Sequence, residues 1–155
     1  MARAPKVMIG WEEICSLPEL GLPFIKAKID TGAKTSAIHA YDIKTFTKDG
    51  QKFVRFKIHP LQRNSKIERV CEAPLADRRY VISSNGEREK RYVINTKITL
   101  GEKSFMAELT LTSRHKMAFR MLLGREALRK AKVTVDPVKS CLTGRKKSLE
   151  KFYEI

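Results

Sequence analysis

Along the second half of the chain, apolar and polar residues alternate with a period of two. Tyr92, Ile94, Thr96, Ile98 and Leu100 share one side of an extended segment, and Phe105, Ala107, Leu109 and Leu111 share one side of the next. Such alternation predicts strands with one buried face. Shorter versions occur where Ile25, Ala27 and Ile29 alternate with Lys26 and Lys28, and where Val54, Phe56 and Ile58 alternate with Arg55 and Lys57. Asn85-Gly86 lies between an apolar-rich segment over 79–83 and the long strand over 91–100, which predicts a hairpin. Gly101-Glu102-Lys103 predicts a further turn. Met121-Leu122-Leu123-Gly124 reads as a short buried run, followed by a short helix from Arg125 to about Lys130 and a last strand over Val133-Thr134-Val135, stopped by Asp136-Pro137. Leu17 to Pro23 reads as a compact turn, since Pro18 and Pro23 oppose a helix and Gly21 permits a bend. Ser36 to Ala40 reads as extended or short-helical. The sum is an all-β barrel or sandwich with one short helix near its C-terminal part. A single domain over 1–155 is expected, with its core over about 9–137. The basic tail, 138–155, is expected to pack loosely, although Leu149, Phe152, Tyr153 and Ile155 could dock.

Composition narrows the class. The chain has 155 residues, an ordinary single-domain size. No apolar run approaches the roughly 20 residues of a membrane-spanning helix. Val7 to Trp11 meets Glu12-Glu13 too early for a signal-peptide core. A cytoplasmic protein with no membrane association is therefore expected. Lys and Arg number 32 against 17 Asp and Glu, a net charge of +15, whose field attracts polyanions such as nucleic acid, ribosomes or acidic peptides. The aromatic share is an ordinary 8%, and no RNA-recognition string is present, so base stacking has no motif behind it. Cys15, Cys71 and Cys141 are dispersed, odd in number and in no Cys-x-x-Cys, which fits reduced thiols.

Candidate chemistry concentrates at Ile29-Asp30-Thr31-Gly32-Ala33, where a strand ends in a turn. An aspartic peptidase needs two carboxylates about 3 Å apart sharing one proton, so that one serves as acid and the other as base. Glycine after threonine lets the backbone turn sharply and aim N–H groups at the carboxylate. The alternative is a strand-ending aspartate that caps a turn. One such motif supplies half a dyad, which implies a homodimer with Asp30 of each subunit on the two-fold axis. Asp42 or Asp136 are the alternative second carboxylates within the chain. A phosphate-cradling GxxxxGK[ST] string is absent, as is HExxH. His39, His59 and His115 are dispersed, so neither a metal nor a cofactor is expected.

With Leu122-Leu123-Gly124-Arg125 downstream of the Asp30 motif, the sequence resembles the retropepsin-like aspartic peptidases. It is most similar to a bacterial branch often labelled ATP-dependent zinc protease. The resemblance runs through Ile9-Gly10-Trp11-Glu12, the string from Ala27 to Ala40, Arg91-Tyr92-Val93-Ile94, Met121 to Arg125 and Val135-Asp136-Pro137. It implies an acid-protease barrel, homodimeric, acting as an aspartic endopeptidase through Asp30. Thr31, Gly32 and Ala33 would support the active site, Thr31 by bracing the two loops and Gly32 by admitting the substrate backbone. The hairpin tip Ser83-Ser84-Asn85-Gly86 would be the flap and touch substrate. Retroviral members place an acid two positions after the motif's glycine, opposite the Arg of Gly-Arg; here Lys34 stands there, so Lys34 and Arg125 are candidate contacts for an acidic peptide. The branch is linked to ATP-grasp glutamate ligases that add glutamates to a small-subunit ribosomal protein, which implies a glutamate-rich substrate or a ligase partner. The alternatives are a non-catalytic module regulating such a ligase and a basic ribosome or nucleic-acid binder.

Overall fold

The computed structural model describes residues 7–61, 65–82, 86–113, 119–144 and Tyr153, with the side chains of Val81 and Ile82 left outside the description. Eleven strands and one short α-helix are found among these residues. They are β1 (Val7–Ile9), β2 (Glu12–Leu17), β3 (Leu22–Ile29), β4 (Ser36–His39), β5 (Tyr41–Lys48), β6 (Gln51–Ile58), β7 (Arg69–Ile82), β8 (Arg88–Leu100), β9 (Lys103–Thr112), β10 (Met121–Leu123), α1 (Arg125–Ala131) and β11 (Val133–Val135). The large sheet runs β2-β3-β10-β4-β9-β8-β7-β6-β5, and a further β2–β8 pairing closes its first six strands into a barrel. β1 and β11 form a separate parallel pair. The chain has an all-β, retropepsin-like fold.

The alternating faces of β8 and β9 do build the core. Ile94, Ile98, Leu100, Leu109 and Leu111 are buried beside Ile25, Ala27, Ile38 and Met121, and the two strands pair without a slip from Tyr92–Leu111 to Leu100–Lys103. Each large aliphatic side chain so buried contributes roughly 1.5–3 kcal/mol against the entropy of ordering the chain.

Two expectations need correction. The segment 17–23 is not one continuous turn: Leu17 ends β2, a single 3₁₀ turn spans Pro18–Leu20, and Leu22 already belongs to β3. Pro18 fits because an N–H at the first position of a helical turn would have no acceptor within the turn, so proline forfeits no bond there. The start of the tail is not loose either. Trp11 N–H donates to Lys139 O at 2.8 Å and Cys141 N–H to Glu12 O at 2.9 Å. The Leu142 and Thr143 N–H groups donate to the Glu13 carboxylate at 2.8 and 2.9 Å. Farther on, Tyr153 is buried, and its hydroxyl bridges the Phe24 N–H and carbonyl. Leu149, Phe152 and Ile155 lie outside the described residues.

Candidate active site

Strands β3 and β4 follow one another in sequence, yet they are not neighbours. β10 is inserted between them, parallel to β3 (Leu123 opposite Ile29) and antiparallel to β4 (Leu122 opposite Ala37). The turn that joins β3 to β4 must therefore cross the end of β10. Asp30 to Thr35 make that crossing. Asp30 N–H donates to Leu123 O at 2.8 Å, so the last β10 carbonyl fixes where the aspartate leaves the sheet. Its carboxylate accepts the Gly32 N–H at 3.0 Å, and Ala33 N–H closes the turn onto Asp30 O at 3.3 Å. Asp30 is only half-buried. Among the described residues, Gly32 is the hydrogen-bond donor seen on its carboxylate, which leaves acceptor capacity for a ligand or second acid.

Gly124-Arg125 holds the turn from below. Helix α1 has no side-chain N-cap; instead its first N–H groups, from Arg125 and Glu126, donate to Ala33 O at 2.7 Å and Lys34 O at 3.2 Å. Donors that a helix start leaves open are thereby satisfied by the Asp30 turn itself. The Arg125 Nη1 then donates to Thr31 O and Gly32 O, both at 3.0 Å. Gly124 is required for this closeness: a Cβ there would stand 2.8 Å from the Thr35 carbonyl carbon and 2.9 Å from Ala33 O. Its N–H donates to the buried Ser36 Oγ at 3.0 Å.

The structure thus brings Asp30, Thr31, Gly32, Ala33, Lys34 and Arg125 into one hydrogen-bonded unit. Within it, the Arg125 guanidinium serves backbone carbonyls rather than an acid. Lys34 faces Glu126 at 3.9 Å, both side chains exposed, a pair that adds at most about 1 kcal/mol. Of the flap candidates, Gly86 lies at the end of the β7–β8 hairpin with φ at 83°, while Ser83, Ser84 and Asn85 lie outside the described residues. The alternative second carboxylates are engaged elsewhere. Asp42 pairs with Lys57 at 3.2 Å and Lys44 at 3.7 Å, which holds its carboxyl below the usual range. Asp136 accepts the Val138 N–H at 2.9 Å beside β11.

Metal ligation has no cluster among the described residues, where no three His, Cys, Asp or Glu side chains converge. His39 is buried on β4, His59 stacks on Tyr41 at 4.8 Å, and His115 lies outside the described residues. None of the three cysteines is in a disulfide, and burial pushes the Cys15 thiol up to about 12, with Glu13 adding to the shift.

One carboxylate had no sequence signal. Glu13 is wholly buried on β2. It accepts Gly10 N–H at 2.7 Å, the Leu142 and Thr143 N–H groups, and Thr143 Oγ1–H at 2.7 Å. Gly10 admits the returning chain, since a Cβ would meet Lys139 O at 2.2 Å. The residue just before β2 supports the Asp30 turn: Ile29 N–H donates to Trp11 O at 2.8 Å, one residue before Asp30.

A half-exposed aspartate thus sits in an Asp-Thr-Gly turn that passes the end of a short strand and is locked by Gly-Arg at a helix start, within an all-β barrel. The family model described as RimB-like, retropepsin-like aspartic endopeptidase RimB, matches residues 8–146, and the chain belongs to that family. Relatives from Shewanella pealeana (51% identical over 145 residues) and Desulfotalea psychrophila (47% over 150) are each named a probable alpha-L-glutamate ligase. The matches cover 94% and 96% of this chain but 31% and 32% of those proteins. The chain therefore spans about a third of the length of these relatives. A Legionella pneumophila protein of unknown function superimposes with a TM-score of 0.75 at 27% identity, over 90% of this chain and 99% of that one. No helix among the described residues is long and apolar enough to cross a membrane.

Proposed function

We propose that the chain is an aspartic endopeptidase that works as a homodimer, in which the Asp30 carboxylates of two copies share one proton and activate a water. The observation that carries this reading is the Asp30 turn. Its carboxylate is half-exposed and accepts one N–H at 3.0 Å, and both alternative acids of the same chain are committed elsewhere. In such a pair the ionised carboxylate takes a proton from water as it attacks the peptide carbonyl. The protonated one donates to the carbonyl oxygen, and the leaving amine is protonated as the tetrahedral intermediate collapses. Thr31 would brace the two turns across the axis, and Gly32 would let the substrate backbone approach.

A glutamate-rich peptide is the substrate this reading favours. The net charge of +15 attracts it, and relatives that contain a domain like this one are named for glutamate ligation. The test is hydrolysis of a glutamate-rich peptide by wild type and Asp30→Asn, with sedimentation of both. A dimer that cleaves and a dimer of Asp30→Asn that does not are expected; a monomer at all concentrations, or unaltered cleavage by the variant, refutes the proposal. The relatives' name also favours a second reading, a non-catalytic module that tunes a glutamate ligase. On that reading Asp30→Asn alters ligase rate as wild type does and neither hydrolyses peptide.

A further inference from the structure

Large apolar side chains left in water are not scattered over this molecule. Among the described residues eight are exposed, and five of them, Val7, Met8, Trp11, Val138 and Leu142, belong to two short segments, 7–11 and 138–142. The two segments pack on one another. Asp136 N–H donates to Ile9 O, Trp11 N–H to Lys139 O and Cys141 N–H to Glu12 O, at 2.8, 2.8 and 2.9 Å. Single exposed apolar residues are ordinary on a folded domain, whereas a concentration of them marks a contact surface. A groove beside β1 is lined by Val7, Met8, Leu100 and Leu142, with Glu102 and Lys103 of the β8–β9 turn as its one acid and one base. On a chain of net charge +15, this surface is apolar and locally neutral. Among the described residues β1 pairs with β11 alone, so its other edge offers backbone donors and acceptors to an added strand.

What covers this surface follows from where the bounds of the domain fall. The family match runs over 8–146. It therefore starts on β1 and ends just beyond Leu142 and Thr143, and both bounds lie at the groove. In the Shewanella pealeana and Desulfotalea psychrophila proteins such a domain is about a third of the length. The remaining chain must join it at one bound or the other, and on either course it leaves beside the groove. A neighbour tethered within a few residues meets the groove at an effective concentration in roughly the millimolar range, which favours a packed contact between the two domains. The dimer proposed above joins at the Asp30 turns, and neither Asp30 nor Thr31, Gly32 or Ala33 lines the groove, so a second copy does not account for it.

We infer that the groove beside β1, together with Trp11 and Val138, is the docking surface for a glutamate ligase, joined to this domain or separate from it. The inference rests on the ligase reading above and names the surface that reading lacks. The probe is a chimera in which this chain replaces the matched region of the intact Shewanella pealeana protein, compared with the chain alone by amide hydrogen exchange. The β1 amides that point away from β11 are expected to exchange about tenfold more slowly in the chimera. Met8→Asp with Leu142→Asp should return them to the rate of the chain alone, whereas Val70→Asp, at a similarly exposed position on β7, should not. Equal exchange in chain and chimera overturns the inference, and so does protection that Val70→Asp removes as well. Slow exchange in the chain alone that depends on its concentration overturns it in favour of a second copy. Should the chimera not fold, the strand aligned with β1 in the intact relative is read in the same way. The rate of glutamate ligation separates the surface from the reading it rests on. Protection of β1 with a ligation rate that the double substitution leaves unchanged keeps the docking surface and removes the regulatory reading; an altered rate with β1 unprotected does the reverse.

Discussion

Glu13 lies on β2 and Asp30 just past the end of the neighbouring β3, and their surroundings could hardly differ more. Glu13 sits out of water and is saturated by four donors from residues 10, 142 and 143. Asp30 stands half-exposed with one N–H on it. A buried acid whose acceptor sites are filled has nothing left to offer a substrate, and its value is the chain segments it ties together. An acid in a rigid turn with open acceptor sites is held in place while remaining available for chemistry. The difference separates an acid spent on tying chain segments together from an acid left free to meet a ligand, although each lies on or beside the same sheet.

The strongest way to break that comparison is to exchange the two effects by mutation. Asp30→Asn is expected to lower peptide hydrolysis by roughly a thousandfold while its melting temperature stays within about 2 °C of wild type. Glu13→Ala leaves several buried donors unpaired and should cost on the order of 3 kcal/mol, a fall in melting temperature of about 6–12 °C for a chain of this size. Activity lost through Glu13 without a change in melting would erase the distinction. Gly124→Ala comes next. Its Cβ has only backbone to push against, so a loss of about 1–3 kcal/mol is expected, read by urea denaturation. Arg125→Lys keeps the charge but cannot reproduce a guanidinium contact to both Thr31 O and Gly32 O. A fall in kcat of about tenfold with little change in melting is expected.

The smallest effect belongs to Arg79 on β7, which makes a two-pronged contact with Glu108 at 2.7 and 3.0 Å. Hydrogen bonds from Arg79 hold the Glu108 carboxyl below its ordinary 4.5. A depressed folded value means stability that is present above the ordinary carboxylate range and disappears as pH falls through the lowered one. Arg79→Ala should therefore melt about 1–3 °C lower at pH 7, and the gap should close in acid. A gap that persists at low pH would assign the effect to packing.

What was legible in the sequence was local. The period of two over β8 and β9, the Gly-Arg helix start and the Asp-Thr-Gly turn each occupy a few consecutive residues, and each stands where the pattern put it. β2 was hidden because one of its buried positions is a glutamate, so Glu13, Cys15 and Leu17 do not read as an apolar face. That burial depends on donors about 130 residues away in sequence, which no local window contains. β5 was hidden for the opposite reason: it is largely exposed, and Asp42, Lys44, Thr45 and Thr47 carry no apolar alternation. Lys34 and Arg125 were legible as cations beside the turn. Their partners, one carboxylate and two carbonyls, depend on how β10 threads between β3 and β4.

Whether catalysis needs one Asp30 from each of two chains is tested most directly by subunit mixing. Wild type and Asp30→Asn are combined, allowed to exchange, and assayed on a glutamate-rich peptide at constant total protein. If both aspartates of a dimer are required, activity follows the square of the wild-type fraction, so an equal mixture retains about one quarter of the wild-type rate. A linear dependence, with about one half retained at equal mixing, would contradict the shared dyad and place the whole reaction within a single chain.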